Sequence, residues 1–201
     1  MHTILVWDWP VRIGHWLLAG GFILAWATSE SETWRLVHAY AGGAMMGVAL
    51  FRGVWGLAGT RHALFSSFVR GPTAAWGYVK QLLSDQPPHS TGHNPAGGLA
   101  IVLLLVLTVL TGLSGWLVYQ ELGGDFMEEL HEGLSGTMMA LVVVHLAGVG
   151  VGSLAHKENL VRPMLTGRKL GATSEAIANA RPLAAMVLLV WAALCAWWFG
   201  R

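Results

Sequence analysis

The sequence predicts an all-α integral membrane protein, a four-helix transmembrane bundle followed by a fifth, C-terminal transmembrane helix. Three observations predict it. Apolar residues make up 54% of the 201 and charged residues only 11%, where globular chains carry about 25% charged residues, so there is too little polar surface to cover a water-facing body. Five stretches, 10–28, 33–57, 95–119, 126–155 and 182–200, are long and apolar enough for a bilayer core about 30 Å thick. The Lys and Arg residues gather on one side of those stretches. Together these exclude a nucleic-acid binder, a disordered tail and an ordinary cytosolic enzyme. The net charge of +1 selects no charged partner, because in a membrane protein the distribution of charge carries the information.

Taken in order, the first stretch begins at Pro10, a residue favoured at a helix N-terminus. No basic segment with a small-residue cleavage site precedes it, so it is expected to be a retained anchor and not a signal peptide. The second stretch ends in a long connection, 58–94, in which Phe65, Phe68, Trp76, Tyr78, Leu82 and Leu83 stand among basic residues. That pattern predicts an amphipathic segment lying on the membrane surface. The connection closes on the turn-rich run Gln86-Pro-Pro-His-Ser-Thr-Gly-His-Asn-Pro95. The third stretch is the plainest, running from Ile101 to Leu110 without a charge. Residues 1–170 are expected to form the bundle, and 171–201 a connection and the fifth helix, with no internal repeat, low-complexity run or second domain.

Charge sets the topology. Arg12, Arg52, Arg61, Arg70, Lys80, Lys157, Arg162, Arg168, Lys169 and Arg181, ten of the twelve basic residues, fall on the side of the N-terminus and the two long connections. The other side keeps Arg35 and Arg201 and carries Glu30, Glu32, Glu121, Asp125, Glu128, Glu129 and Glu132. The positive-inside rule puts the N-terminus in the cytoplasm and, with an odd number of spans, Arg201 outside. A bacterial plasma membrane is the expected location.

Four of the nine histidines, His15, His38, His131 and His145, fall within these stretches. Ionisable residues inside a membrane are costly and normally face the bundle interior. A neutral histidine bonded to a neighbouring helix is the bland alternative for any one of them. The four sort by depth into pairs, however. His131 and His145 are fourteen residues apart on one helix, a rise of about 21 Å with roughly 40° of angular offset, so both look to the same side from opposite ends. His15 lies near the inner end of its helix and His38 near the outer end of its own. The pairs are His15 with His145 and His38 with His131.

Two histidines with no carboxylate or thiolate neighbour cannot complete a tetrahedral zinc site. They can complete a haem iron, whose other four ligands come from the porphyrin. Cys195 is the lone cysteine, which excludes a disulfide, a C-x-x-C pair and covalent haem attachment through C-x-x-C-H; mid-span, it serves packing. Two non-covalent haem b groups are therefore expected. With both axial positions filled, they suit electron transfer better than oxygen binding. Gly14, Gly42, Gly43, Gly133, Gly136 and Gly148 lie within five residues of a candidate ligand. Each admits a flat ligand or a neighbouring helix close to the backbone. Arg12 precedes His15 by three residues, as Arg35 precedes His38. Each guanidinium is a candidate partner for a haem propionate, with a snorkelling interfacial anchor as the alternative.

Val6-Trp-Asp-Trp-Pro-Val-Arg-Ile-Gly-His-Trp16, His38 with Phe51-Arg-Gly-Val-Trp-Gly56, Gly92-His-Asn-Pro-Ala-Gly-Gly98, the His131…His145 spacing, and Ser153-Leu-Ala-His-Lys-Glu-Asn-Leu leading to Met164-Leu-Thr-Gly-Arg168 resemble the bacterial cytochrome b561 family. These are dihaem membrane cytochromes related to the cytochrome b subunits of nickel–iron hydrogenase and thiosulfate reductase. The resemblance covers about residues 3–170. It implies a four-helix bundle with two b haems on His15, His38, His131 and His145, the fifth helix packing outside it. It also implies electron transport in a respiratory chain, between the quinone pool and a periplasmic redox partner. The acidic outer face suits a lysine-rich c-type cytochrome, or else merely serves topology and solubility. Quinone contacts are placed at the inner side, on His93, Asn94 and His156, each of which is also read as a helix-end cap or surface histidine. His2, His62 and His89 are expected at the surface. Trp7, Trp9, Trp34, Trp55, Trp76, Trp197 and Trp198 are read as interfacial belts.

Three other functions stay open. A superoxide:quinone oxidoreductase would need a positive funnel at the outer haem, where this chain is acidic. A membrane-anchor cytochrome b subunit of a larger periplasmic oxidoreductase differs in partner more than in chemistry. A non-haem metal transporter would show no haem spectrum. Whether the chain is itself an enzyme acting on quinol or quinone is not settled by its residues.

Overall fold

The computed structural model describes residues 2–82, 84, 88 and 90–201. Leu83, Gln86, Pro87 and His89, which the sequence places around the lead-in to the third stretch, lie outside the described residues. Strand β1 (His2–Leu5) opens the chain. Helices α1 (Trp9–Thr28), α2 (Arg35–Ala58), α3 (Phe65–Phe68), α4 (Pro72–Leu82), α5 (Pro95–Tyr119), α6 (Gly124–Ala155) and α7 (Arg162–Thr166) follow. Strand β2 (Arg168–Gly171) and helix α8 (Pro182–Phe199) complete it. All five long helices of the sequence reading are present. Four of them, α2 with its leading turn, α5, α6 and α8, are long and apolar enough to cross a membrane. Helix α1 has 20 residues, about 30 Å, but carries Arg12 and His15 in its first half and is not among those four.

Local chemistry sets the helix starts. Asp8 caps α1 by accepting from Val11 N at 2.9 Å, with Pro10 in the first turn. Asn94 caps α5 by accepting from Gly97 N at 2.7 Å, ahead of Pro95. Pro182 opens α8. These caps satisfy amide groups that the first turn leaves without partners.

Helix α2 is the centre of the bundle, packing on α1, α5 and α8. Its contact with α8 depends on small residues. A Cβ added at Gly43 would lie 2.6 Å from Phe199 Cβ and 2.8 Å from Cys195 O. Trp191 Nε1 donates to Gly47 O at 2.9 Å. Such close approach is how helices associate where lipid removes the hydrophobic driving force. Helix α6 packs on α5 but makes no comparable contact with α1, α2 or α8. A cleft therefore separates α6 from the α1–α2 pair, and α8 lies against α2 and α1. The exposed residues Val143, Val144, Leu146, Val151 and Leu154 of α6, and Leu183, Met186, Val187 and Val190 of α8, are apolar, as a lipid-facing surface requires.

One end of the bundle carries a cap that the sequence did not foretell. Strand β1 pairs antiparallel with β2, Thr3 opposite Leu170, and β2 crosses the boundary expected at 170/171. Gly167 sits at φ +76° after α7, and its carbonyl accepts from Val6 N at 2.8 Å and Trp7 N at 3.1 Å. A side chain there would be strained, and its Cβ would stand 2.9 Å from Trp7 O. Ile4, Val6, Trp7, Val11 and Ala63 form the apolar core of this cap, with Trp55 and Met164 against it. Asp8 is fully buried within it, accepting from Trp55 Nε1 at 3.0 Å and Thr60 Oγ1 at 2.6 Å.

Trp7 and Trp55 are thus built into the cap and are not belt residues, whereas Trp9, Trp34, Trp76, Trp197 and Trp198 are exposed. His62, expected at the surface, is buried, and its Nε2 meets Glu175 O at 2.8 Å. The loop that carries it is folded under the 173–175 turn. His2 is exposed. Of the 58–94 connection, α4 packs on α5 with Tyr78 buried and Trp76 exposed. Phe68 is buried as well.

Candidate functional site

The four intramembrane histidines line the cleft in two pairs. His38 on α2 and His131 on α6 have ring centroids 6.1 Å apart, edge to face. His15 on α1 stands near enough to His145 on α6 to feel its charge. Neither α1 nor α2 packs on α6 as closely as α5 does, so the histidine side chains reach across the gap.

The outer pair is oriented from outside the cleft. His38 Nδ1 lies 2.9 Å from Ala25 O, and His131 Nδ1 lies 3.0 Å from Thr111 O and 3.2 Å from Ser114 Oγ. A carbonyl can only accept, so each Nδ1 carries the hydrogen and each Nε2 keeps its lone pair. A backbone carbonyl on the second nitrogen is the usual way a protein aims a metal-ligating histidine. Gly115 makes room for this, since a Cβ there would lie 2.7 Å from His131 Cε1; that residue escaped the sequence reading. In the inner pair, His15 packs edge-on against Trp16 at 5.1 Å, and its Nδ1 is sealed from solvent without a hydrogen-bond partner.

The glycines divide into two kinds. Gly14 and Gly43 face neighbouring helices, Val48 with Leu188 and Phe199 respectively. A Cβ added at Gly42, Gly133, Gly136 or Gly148 would meet nothing within 4 Å. Arg12 is engaged elsewhere: its Nε donates to Met164 O at 3.4 Å, an amino nitrogen donates to Leu165 O, and the guanidinium lies 4.6 Å over Trp9. Trp16 Nε1 also donates to Met164 O at 3.2 Å. Together they clamp α7 to α1. Arg35 lies 5.2 Å over Tyr119.

The three residues expected near a quinone differ. Asn94 spends its side-chain oxygen on the cap of α5. His156 ends α6 and its Nε2 is 3.0 Å from Tyr78 OH. Burial pushes the Tyr78 phenol up, so it stays a proton donor. His93 lies between Trp7 at 4.4 Å and Phe68 at 4.5 Å, its Nδ1 sealed and unpartnered. Burial, followed by the charges of Arg52, His62, Lys169 and His145, pushes its pKa down to about 3.

Among the described residues no group of three His, Cys, Asp or Glu side chains could hold a bare metal ion. Two facing imidazoles per level instead fit a metal that brings its other ligands with it. Two metal–nitrogen bonds of about 2.0 Å plus the ring radii place the centroids of opposed imidazoles roughly 6 Å apart, the separation that His38 and His131 have.

Residues 6–167 match the family described as prokaryotic cytochrome b561. The chain belongs to that family. No curated protein and no solved structure matches it. As a prokaryotic cytochrome b561 it is a multi-pass membrane protein that binds b-type haem, moves electrons across the membrane and works with redox partners. The match ends just before β2, so α8 lies beyond the matched core of this cytochrome.

Proposed function

We propose that this cytochrome passes electrons across a bacterial plasma membrane through two haem b groups. His15 and His145 would be the axial ligands of the inner haem, and His38 and His131 those of the outer. One observation carries the reading: His38 and His131 face each other at 6.1 Å with each Nδ1 turned to a helix carbonyl, which leaves both Nε2 lone pairs uncommitted. Bound there, haem supplies a one-electron couple, and occupation of both axial positions keeps the iron from binding oxygen. The chain supplies the rest. Carbonyls of α1 and α5 hold the imidazoles, the open backbone at Gly42 and Gly148, one turn from His38 and His145, leaves space for a flat ring, and the helices exclude water. Arg35 is the candidate partner of an outer propionate.

Quinone is the inferred lipid-soluble partner at the inner interface, where the Tyr78–His156 couple can hand on a proton. A periplasmic redox protein, such as a lysine-rich c-type cytochrome, is the inferred partner at the acidic outer face. A dithionite-reduced spectrum with haem counted per chain tests the core of the reading. Two low-spin b haems are expected, falling to one in His131→Ala and in His145→Ala. Folded protein that stays colourless after full haem supply overturns it.

A further inference from the structure

Arg52 buries both terminal guanidinium nitrogens, and neither has a hydrogen-bond partner. The group lies 4.9 Å over Phe65 and 6.0 Å over Phe68. Phe68 in turn packs 4.5 Å from His93, whose Nδ1 is likewise sealed and unpartnered. A buried, unpaired guanidinium is costly, and only an anion offsets its charge. Asp8 is the carboxylate near enough to act on Arg52, yet its oxygens are already taken by Val11 N, Trp55 Nε1 and Thr60 Oγ1. A quinone carbonyl could accept the hydrogen bonds but would leave the charge in place. With His93 neutral, the pair presents one positive charge, the complement of a single carboxylate.

Position says which carboxylate. Arg52 follows His38 by fourteen residues on α2, as His145 follows His131 on α6, so Arg52 shares the cleft-facing side of α2 about 21 Å deeper. That is the level of the inner pair, and the charge of His145 is felt at His93. Arg12 meanwhile has two of its donors on the carbonyls of Met164 and Leu165.

We propose that Arg52 and His93 form the carboxylate-binding end of the inner haem site, with Arg52 and not Arg12 holding a propionate. The proposal rests on the two-haem reading above. Its test uses the full-length protein loaded with haem carrying carbon-13 at the propionate carboxylates, followed by redox-difference infrared spectra and spectroelectrochemical titration. In Arg52→Gln two haems remain, and the haem that His145→Ala removes becomes at least tenfold harder to reduce, about 59 mV for one electron. The label-sensitive carboxylate band shifts, while the outer haem is unchanged. In Arg52→Lys, which keeps the charge but loses the fork, the band still shifts and the potential moves less. His93→Phe shifts the same band.

Two haems with an unmoved labelled band and an unmoved inner potential in Arg52→Gln overturn the assignment. So does a shift confined to unlabelled bands, which would mean an anion other than haem. An unmoved band in His93→Phe removes His93 from the site. If Arg52→Gln does not fold, Arg52→Lys decides through the labelled band alone. Colourless wild-type protein, by contrast, overturns the haem reading itself.

Discussion

His131 owes its place to three residues of a different helix. The carbonyl of Thr111 and the hydroxyl of Ser114 fix its Nδ1, and Gly115 leaves space for the ring. Gly115→Val should therefore displace the imidazole without touching the inner pair, lowering haem from two per chain to one. Haem quantification alongside His145→Ala, which should remove the other haem, checks this; two haems in Gly115→Val would mean that the ring finds its position without α5. Asp8 is a second case of one side chain serving several partners, since it caps α1 and ties in Trp55 and Thr60. Asp8→Ala should cost about 1 kcal/mol for the lost cap and about 1–3 kcal/mol for each buried donor left unpaired. The expected result is a lower thermal midpoint in detergent with an unchanged haem spectrum below it.

Helix α6 is nearly free-standing, held by α5 on one side and facing α1 and α2 across a cleft. That makes the glycines of α2 and α6 separable by experiment. Gly148→Leu would put a side chain into the empty space one turn from His145, so the apoprotein should fold normally and take up less haem. Gly43→Leu would collide with Phe199 and the Cys195 carbonyl, so it should loosen α8 and lower stability whether or not haem is bound. If both variants changed stability equally and neither changed haem content, the cleft would not be the haem site.

The helices were legible because apolar runs ended at Pro10, Pro95 and Pro182 and at capping residues. The stretch expected at 95–119 is α5 residue for residue. The histidine pairs were legible because a fourteen-residue spacing fixes both face and depth. Strands β1 and β2 were not legible. Each has four residues with no apolar alternation, and their pairing joins segments more than 160 residues apart. The sequence therefore reads Trp7 and Trp55 as belt residues and His62 as a surface residue, since only the fold of the cap buries them. Arg52 was counted as one more inside charge, although its distance from His38, the same as that between His131 and His145, marks the face it occupies.

For the molecule as a whole, the asymmetry of charge outweighs the net value. Glu30, Glu32, Glu121, Asp125, Glu128, Glu129 and Glu132 are all exposed at the end opposite the cap, and among the described residues none of them is in an ion pair. Four of them lie on the first turns of α6, Asp125, Glu128 and Glu129 just before His131 and Glu132 just after it. An electron entering or leaving there would reach the outer pair first, and unpaired exposed carboxylates there would steer a basic protein toward that end. Exposed charges act over a Debye length of about 30 Å at 0.01 M salt and about 3 Å at 1 M, and steering raises association rates by roughly 10- to 1,000-fold. Electron exchange with a lysine-rich c-type cytochrome should therefore slow by at least about tenfold between those salt concentrations. Replacing Glu128, Glu129 and Glu132 with Gln together should lower the low-salt rate and flatten the salt dependence, while Glu175→Gln, on the cap, should do neither. Stopped-flow mixing of the two proteins measures both. A rate indifferent to salt would remove the acidic end as a docking surface and leave only the topology to explain why those carboxylates are there.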